Sequence, residues 1–198
     1  MKKILILMLA AVIGITAVEA QPTKKQLKAI KSEIAAWEAE GWKAAPGDLT
    51  IAEQILQSKE YADKKNEDRE PIYLIGTSTA VGETFKAAQL SAMRGVKKQA
   101  LEQLESEITS IINEDLANKQ QGLDNAVSPD KVLNRTMEVI SKRLPRGIKI
   151  VSVYRELKTK TVEVRMSYAY NYDKVVEMLK ATTSQTLEDE IEEMVNGK

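Results

Sequence analysis

The sequence predicts an α+β protein: a small antiparallel sheet of about three strands packed on a long alanine-rich helix, preceded by an N-terminal helical hairpin. Three observations carry this prediction. Residues 83–116 repeat apolar side chains every three to four positions, from Phe85 through Ala88, Ala92, Val96, Ala100, Leu104 and Ile108 to Leu116, the period of one helix face. Residues 148–157 and 161–170 are rich in β-branched and aromatic side chains and are separated by Lys158, Thr159 and Lys160, the pattern of an antiparallel hairpin. The remaining order of elements contains no repeating strand–helix–strand unit, which argues against a doubly wound parallel fold.

Residues 1–20 have the three parts of a signal peptide in order. Lys2 and Lys3 precede an apolar run from Ile4 to Ile15, and Val18 and Ala20 place modest side chains three residues and one residue before a cut. Cleavage after Ala20 is expected, because the apolar run is shorter than the ~20 residues a spanning helix needs. No transmembrane span then remains. The chain has Cys 0, which excludes an N-terminal lipid anchor on cysteine, disulfides, thiolate metal sites and thiol nucleophiles. About 178 residues are left, enough for one substantial core.

Residues 21–70 are expected to form the helical hairpin and a linker. Leu27, Ile30, Ile34 and Trp37 lie at steps of three and four, Thr23 with Gln26 fits a capping box, and Gly41 is placed to end the helix. After the turn at Ala45-Pro46-Gly47-Asp48, Thr50 and Glu53 form another capping box before Ile51, Ile55 and Leu56. The charged residues 63–70 lead to Pro71 and the main domain, residues 71–182.

That domain opens with Ile72-Tyr73-Leu74-Ile75-Gly76, read as a strand of about seven residues, and residues 76–82 are read as the turn into the long helix. Gly95 has no evident capping role there. Residues 118–127 are polar. Ser128 then provides an N-cap with Pro129 first in the helix, and Pro145 and Gly147 stop it. In the last strand Val162, Val164, Met166, Tyr168 and Tyr170 alternate with polar or small residues, so one face is expected to be buried and the other wet. Val175, Val176 and Leu179 mark a further helix. Residues 183–198 form an acidic tail or short helix, with Glu188, Asp189, Glu190, Glu192 and Glu193 on a solvated face.

Chemistry has few footholds. With His 0 and Cys 0, the usual general base, the commonest transition-metal ligand and the most reactive nucleophile are missing, and neither a cofactor nor a metal is expected. Ser58-Lys59, Ser141-Lys142 and Ser32 beside Lys31 lack the Ser-x-x-Lys spacing that sets both groups on one helix face. Residues 76–82 sit where a phosphate-binding turn would, yet have neither the Walker ending nor the dinucleotide glycine spacing. The acidic residues lack the alternation and mid-loop glycine of a calcium loop. Asn134-Arg135-Thr136 matches a glycosylation triplet inside a helix and is discounted.

Lys+Arg 29 balance Asp+Glu 29, and removing Lys2, Lys3 and Glu19 with the leader leaves 27 against 28. A neutral chain with interspersed signs has no footprint for nucleic acid. The aromatics Trp37, Trp42, Tyr154, Tyr168 and Tyr170 are the candidate ligand or partner surface, since such rings combine flat apolar area with a polar edge. Core packing is the competing explanation for the same rings.

Tyr73-Leu74-Ile75-Gly76-Thr77-Ser78, the alanine-spaced helix through Ala87, Ala88, Ala92 and Ala100, and residues 162–168 together resemble the LPP20-type envelope proteins of Gram-negative bacteria. The stretch 41–47 resembles the N-terminal part of exported proteins of Bacteroidetes type. The resemblance implies a periplasmic or outer-membrane-associated protein without catalytic residues, departing from lipoprotein members in lacking the lipid-bearing cysteine. Three functions follow as expectations. The first is a noncatalytic envelope module that binds an envelope protein or forms a homo-oligomer, exported to the periplasm or secreted, with any outer-membrane association made through a partner. The second is a glycan- or lipid-binding protein. The third is a hydrolase resting on two carboxylates about 5–10 Å apart, for which the sequence pairs no particular acids.

Overall fold

A computed structural model of the protein describes residues 24–119 and 127–196. Residues 1–20, expected as a signal peptide, and Thr23 of the first capping box fall outside the described residues. Among those described, the elements run α1 (Lys24–Ala39), β1 (Lys43–Ala44), α2 (Ile51–Asp63), β2 (Tyr73–Gly82), α3 (Phe85–Glu102), α4 (Glu105–Lys119), α5 (Pro129–Arg143), β3 (Ile148–Glu156), β4 (Val162–Asn171) and α6 (Tyr172–Asn196). The fold is α+β, and its sheet is antiparallel with strand order β1-β3-β4-β2. The sheet therefore has one strand more than expected. The extra one is β1, two residues long, too short to leave a periodic signal.

The helical hairpin forms as its caps predict. Gly41, at φ 83°, donates to the Glu38 carbonyl at 3.1 Å, while Trp42 N–H reaches the Trp37 carbonyl at 3.0 Å. This pair of bonds is a Schellman ending, in which the left-handed residue is best a glycine. Thr50 and Glu53 cap α2 reciprocally. Ile30, Ile34 and Ile55 then close the hairpin's own core. Burying such a side chain contributes ~1.5–3 kcal/mol. The Lys59–Glu33 bridge between the helices, at 2.7 Å but 43% and 38% exposed, adds at most ~1 kcal/mol. Apolar burial, not the ion pair, holds the hairpin.

On the opposite side, α3 lies directly on the sheet. Ala88, Ala92, Val96 and Ala100 are no more than 1% exposed and pack with Leu74, Val164, Met166 and Tyr170. The glycines explain how close the helix comes. A Cβ on Gly76 would stand 2.3 Å from the Val96 carbonyl oxygen, one on Gly82 would stand 2.6 Å from Ala88 N, and one on Gly95 would stand 2.1 Å from Ser78 Oγ. Residues 76–82 are thus not a turn: they continue β2, paired along its whole length with β4 from Tyr73↔Asn171 to Gly82↔Val162. The two glycines that imitate a phosphate-binding turn in the sequence are places where a strand meets a helix backbone.

The long helix expected over residues 83–116 is broken at Gln103 and Leu104 into α3 and α4. Gln103 turns its side-chain amide back to the Ile75 carbonyl at 2.9 Å and the Gln99 carbonyl at 3.2 Å. Beyond this break α4 leaves the sheet and packs with α5 and α6, extending one core through Ile108, Ile112, Leu116, Val132, Ile140 and Leu187. Ser128 stands at the N-cap of α5 with Pro129 following, although its hydroxyl makes no capping bond.

Two further expectations change. The β4 face expected to be wet is covered by the hairpin: Ser167 and Ala169 are 4% and 1% exposed, and Ala169 joins Trp42, Ile150, Val151 and Val153 in a second core. Of the tail and the short helix expected at the acidic end, the described residues form helix, though not a separate short one, because α6 runs unbroken for 25 residues. Within it Thr183, Thr186 and Leu187 are buried, and Glu190, expected on a solvated face, is 3% exposed.

Gly76→Ala is expected to destabilise the protein by ~1–3 kcal/mol, because its new methyl meets helix backbone. Gly95→Ala should cost less, since of the two atoms in the way the Ser78 hydroxyl can rotate aside and only the Ser78 Cβ, at 2.9 Å, has to yield. Urea unfolding of both variants checks the ranking.

Candidate functional site

The five aromatic candidates do not meet on one surface, because the sheet separates them. Trp37 and Trp42 belong with the hairpin-facing core, whereas Tyr154, Tyr168 and Tyr170 face α3. Trp42 is 6% exposed. The Arg155 guanidinium lies 4.5 Å from its ring centroid, and its indole N–H donates to Glu40 at 3.0 Å. Arg155 also donates to Glu163 at 2.5 Å and to the Glu40 carbonyl at 3.2 Å. Arg165 stands 4.9 Å from the Trp37 ring. Each contact of this kind contributes ~0.5–2 kcal/mol, so the tryptophans fasten the hairpin to the strands.

The tyrosines are likewise occupied. Tyr154 meets Phe85 edge-on at 5.5 Å, and Tyr168 stacks on Tyr170 at 6.4 Å. Tyr170 is 3% exposed and lies under Gly147, whose Cβ would be 2.7 Å from the ring. Burial, with a smaller contribution from Tyr168, pushes the Tyr170 hydroxyl up to about 12. Burial also raises Tyr168, which is half-buried beside the Lys149–Asp48 pair. Neither phenol ionises near neutrality, so neither offers a base. Tyr172 donates to Glu107 at 3.1 Å, and burial and that bond raise it too.

A cavity of about 370 Å³ lies where α5 meets the end of α6, lined by Val127, Ser128, Lys131, Glu190, Glu193 and Met194. Its charges satisfy one another. Arg135 donates to Glu190 at 2.6 Å and to Glu193 at 3.0 Å, and Lys131 pairs with Glu190. Burial pushes the Glu190 carboxyl up, but the bonds and charges of Lys131 and Arg135 outweigh it and hold the group below its ordinary value. This is a latch between helices rather than a centre for chemistry. Among the described residues no three or more His, Cys, Asp or Glu side chains converge as a metal site, and no helix is long and apolar enough to cross a membrane. Thr136 of the glycosylation triplet is fully buried in α5.

What stands open is backbone. One edge of the sheet, β3, is closed through its middle. Lys43 and Ala44 pair with Tyr154 and Val153, and Ala45 N–H reaches the Ser152 carbonyl at 3.0 Å. Gln54, only 2% exposed, takes the place of a further strand residue by accepting from Ser152 N–H at 2.7 Å and donating to the Ser152 carbonyl at 3.3 Å. The other edge, β2, is capped at two backbone groups in its first half. Gln103 caps the Ile75 carbonyl and Gln99 accepts from Thr77 N–H. In an antiparallel ladder, residues of one parity turn both backbone groups away from the partner strand. Ile75 and Thr77 show that odd residues do so here, and hence Thr79 and Val81 do as well. Both are exposed, Val81 at 52%, and neither outward group has a partner among the described residues.

No protein-family model, curated protein or solved structure matches this chain. The edge escapes sequence reading because Gly76 and Gly82 look like turn boundaries. The discriminating signal was the β-branched residue at every second position, Thr77, Thr79 and Val81.

Two outcomes are expected. Gln54→Ala strands the buried Ser152 N–H and should cost ~1–3 kcal/mol in urea unfolding; no loss would mean water replaces the side chain. For Glu190, a carboxyl held below its usual 4.5 contributes stability that is present above that value and lost as pH falls through the lower folded value. Glu190→Gln should therefore flatten the fall in stability below pH 4.5. An unchanged slope would show that the latch is not linked to folding.

Proposed function

We propose that this chain is an exported, noncatalytic cell-envelope protein that acts by binding a protein partner or by self-association, and that it carries no cofactor. The observation that carries the reading is the uncapped edge of β2 at Thr79 and Val81, in a sheet whose opposite edge is blocked by β1 and Gln54. A free strand edge recognises another chain through main-chain hydrogen bonds and needs no reactive side chain. The composition agrees, with His 0, Cys 0 and balanced charge. The glycan- or lipid-binding alternative draws no support from the rings, since Trp42 and Tyr170 are closed into separate cores. The likeness to LPP20-type proteins belongs to the same reading, as does the route to the envelope through residues 1–20. In this reading attachment to any membrane is through a partner and not through a lipid.

The test is tagged expression of the full chain in a Gram-negative host, followed by fractionation, N-terminal sequencing and identification of what stays bound. A periplasmic or secreted species beginning at Gln21, recovered as an oligomer or with an envelope protein, is the expected outcome. A cytoplasmic protein retaining Met1 would overturn the export reading. A strict monomer that retains nothing from envelope extracts would overturn the interaction reading.

A further inference from the structure

We infer that the open edge of β2 takes a second copy of the same edge, paired antiparallel about a two-fold axis through Ala80 so that the two sheets become one. This rests on the interaction reading above and names its partner. The first ground is the position of the free backbone groups. In the second half of the strand Thr79 and Val81 keep both outward N–H and C=O groups clear of the Gln99 and Gln103 caps, whereas Ile75 and Thr77 each have one outward group taken. In the register centred on Ala80, Thr79 of one copy faces Val81 of the other and the reverse. Each such pair exchanges both backbone bonds, as outward-facing residues of opposed antiparallel strands do. A register centred on Thr79 would instead need Thr77 N–H, which Gln99 already holds.

The second ground is composition. Residues 78–82 are Ser-Thr-Ala-Val-Gly, without the lysine, proline or bulge that keeps natural edges apart. Self-pairing opposes like residues, and like charges placed opposite one another are destabilising. Here there are none: the first charge beyond the segment, Glu83, falls opposite Thr77 of the other copy and not opposite Glu83. The third ground is room. With the axis perpendicular to the sheet, the two α3 helices lie side by side on the same face. The stretch of α3 between its contacts at Gly82 and Ser78 carries the small, exposed Ala87 and Ser91. The contact is short, and an interface below ~1,200 Å² belongs to the weak, transient class, so a concentration-dependent dimer is expected.

The full chain after signal cleavage is examined by sedimentation velocity across a concentration series, with circular dichroism to verify folding. Thr79→Pro removes only an outward N–H, which an edge strand tolerates, and Val81→Lys adds a charge at the pairing position. Each should weaken self-association at least about tenfold with the fold retained. Because the chain has Cys 0, Ala80→Cys introduces a lone thiol on the axis. It should oxidise readily to a disulfide-linked dimer, whereas Glu83→Cys, well off the axis, should not. Equal cross-linking at both positions, or dimers insensitive to Thr79→Pro and Val81→Lys, would overturn the register. A protein that stays monomeric throughout would overturn the second copy as occupant. In that event, retention of an envelope protein that Thr79→Pro abolishes would leave the broader interaction reading standing, and its absence would remove both.

Discussion

Everything else in this molecule is arranged around the approach of one helix to one strand. α3 lies so near β2 that Gly76, Gly82 and Gly95 have no room for a Cβ, and alanine fills most of the buried helix positions between them. Little apolar area is gained per alanine. The compensation is proximity, since a close helix exchanges dispersion contacts with the sheet backbone itself. It also lets short side chains act at a distance they would otherwise not span. Gln99 and Gln103 reach over the strand to cap its outer edge, and in turning back Gln103 marks the place where the helix breaks and α4 departs. The helical lobe of α4, α5 and α6 thus begins where the helix-to-strand contact ends.

The two faces of the sheet are closed by different physics. On the α3 face the closure is steric fit. On the other, the hairpin spreads larger groups across β2, β3 and β4: Trp42 and Trp37 over two arginines, and Tyr61 edge-on to Tyr73 at 4.8 Å. Gln54 belongs to this second closure but acts on the edge, where its amide imitates a peptide group against Ser152. A buried amide is stabilising only when both its ends are used, and here both are. The hairpin therefore covers a face and blocks an edge at once.

How much of this was legible in the sequence depended on whether the signal was local. The caps at Gly41 and Thr50, the β3–β4 hairpin and the buried stripe of α3 all follow from spacing and turn chemistry within a few residues, and all are present. What was misread depended on what packs against a segment. Gly76 and Gly82 mean a turn if nothing lies above them and a close crossing if α3 does. Ser167 and Ala169 look like a wet face until the hairpin is laid on them. Glu190 looks solvated among its acidic neighbours until Lys131 and Arg135 arrive from α5. The aromatic residues show the same limit from the functional side. Their identities pointed to a surface, but Trp37 with Trp42 and the three tyrosines lie across the sheet from each other, a separation no spacing rule encodes.

That leaves the question of why a chain so poor in reactive side chains should leave part of a strand edge bare. A bare edge is ordinarily a hazard, because any exposed strand can extend it. Here the hazard is bounded on both sides. Toward the start of β2 the glutamine caps occupy the Ile75 carbonyl and the Thr77 N–H, and toward its end the strand stops at Gly82, followed at once by Glu83 and the capped start of α3 at Thr84. The opening is thus too short to template an extended cross-β stack. The same α3 that forces glycine into the strand defines both limits, the caps at one end and the helix start at the other. The bare stretch of backbone is consequently a product of the close helix-to-strand contact and not an addition to it.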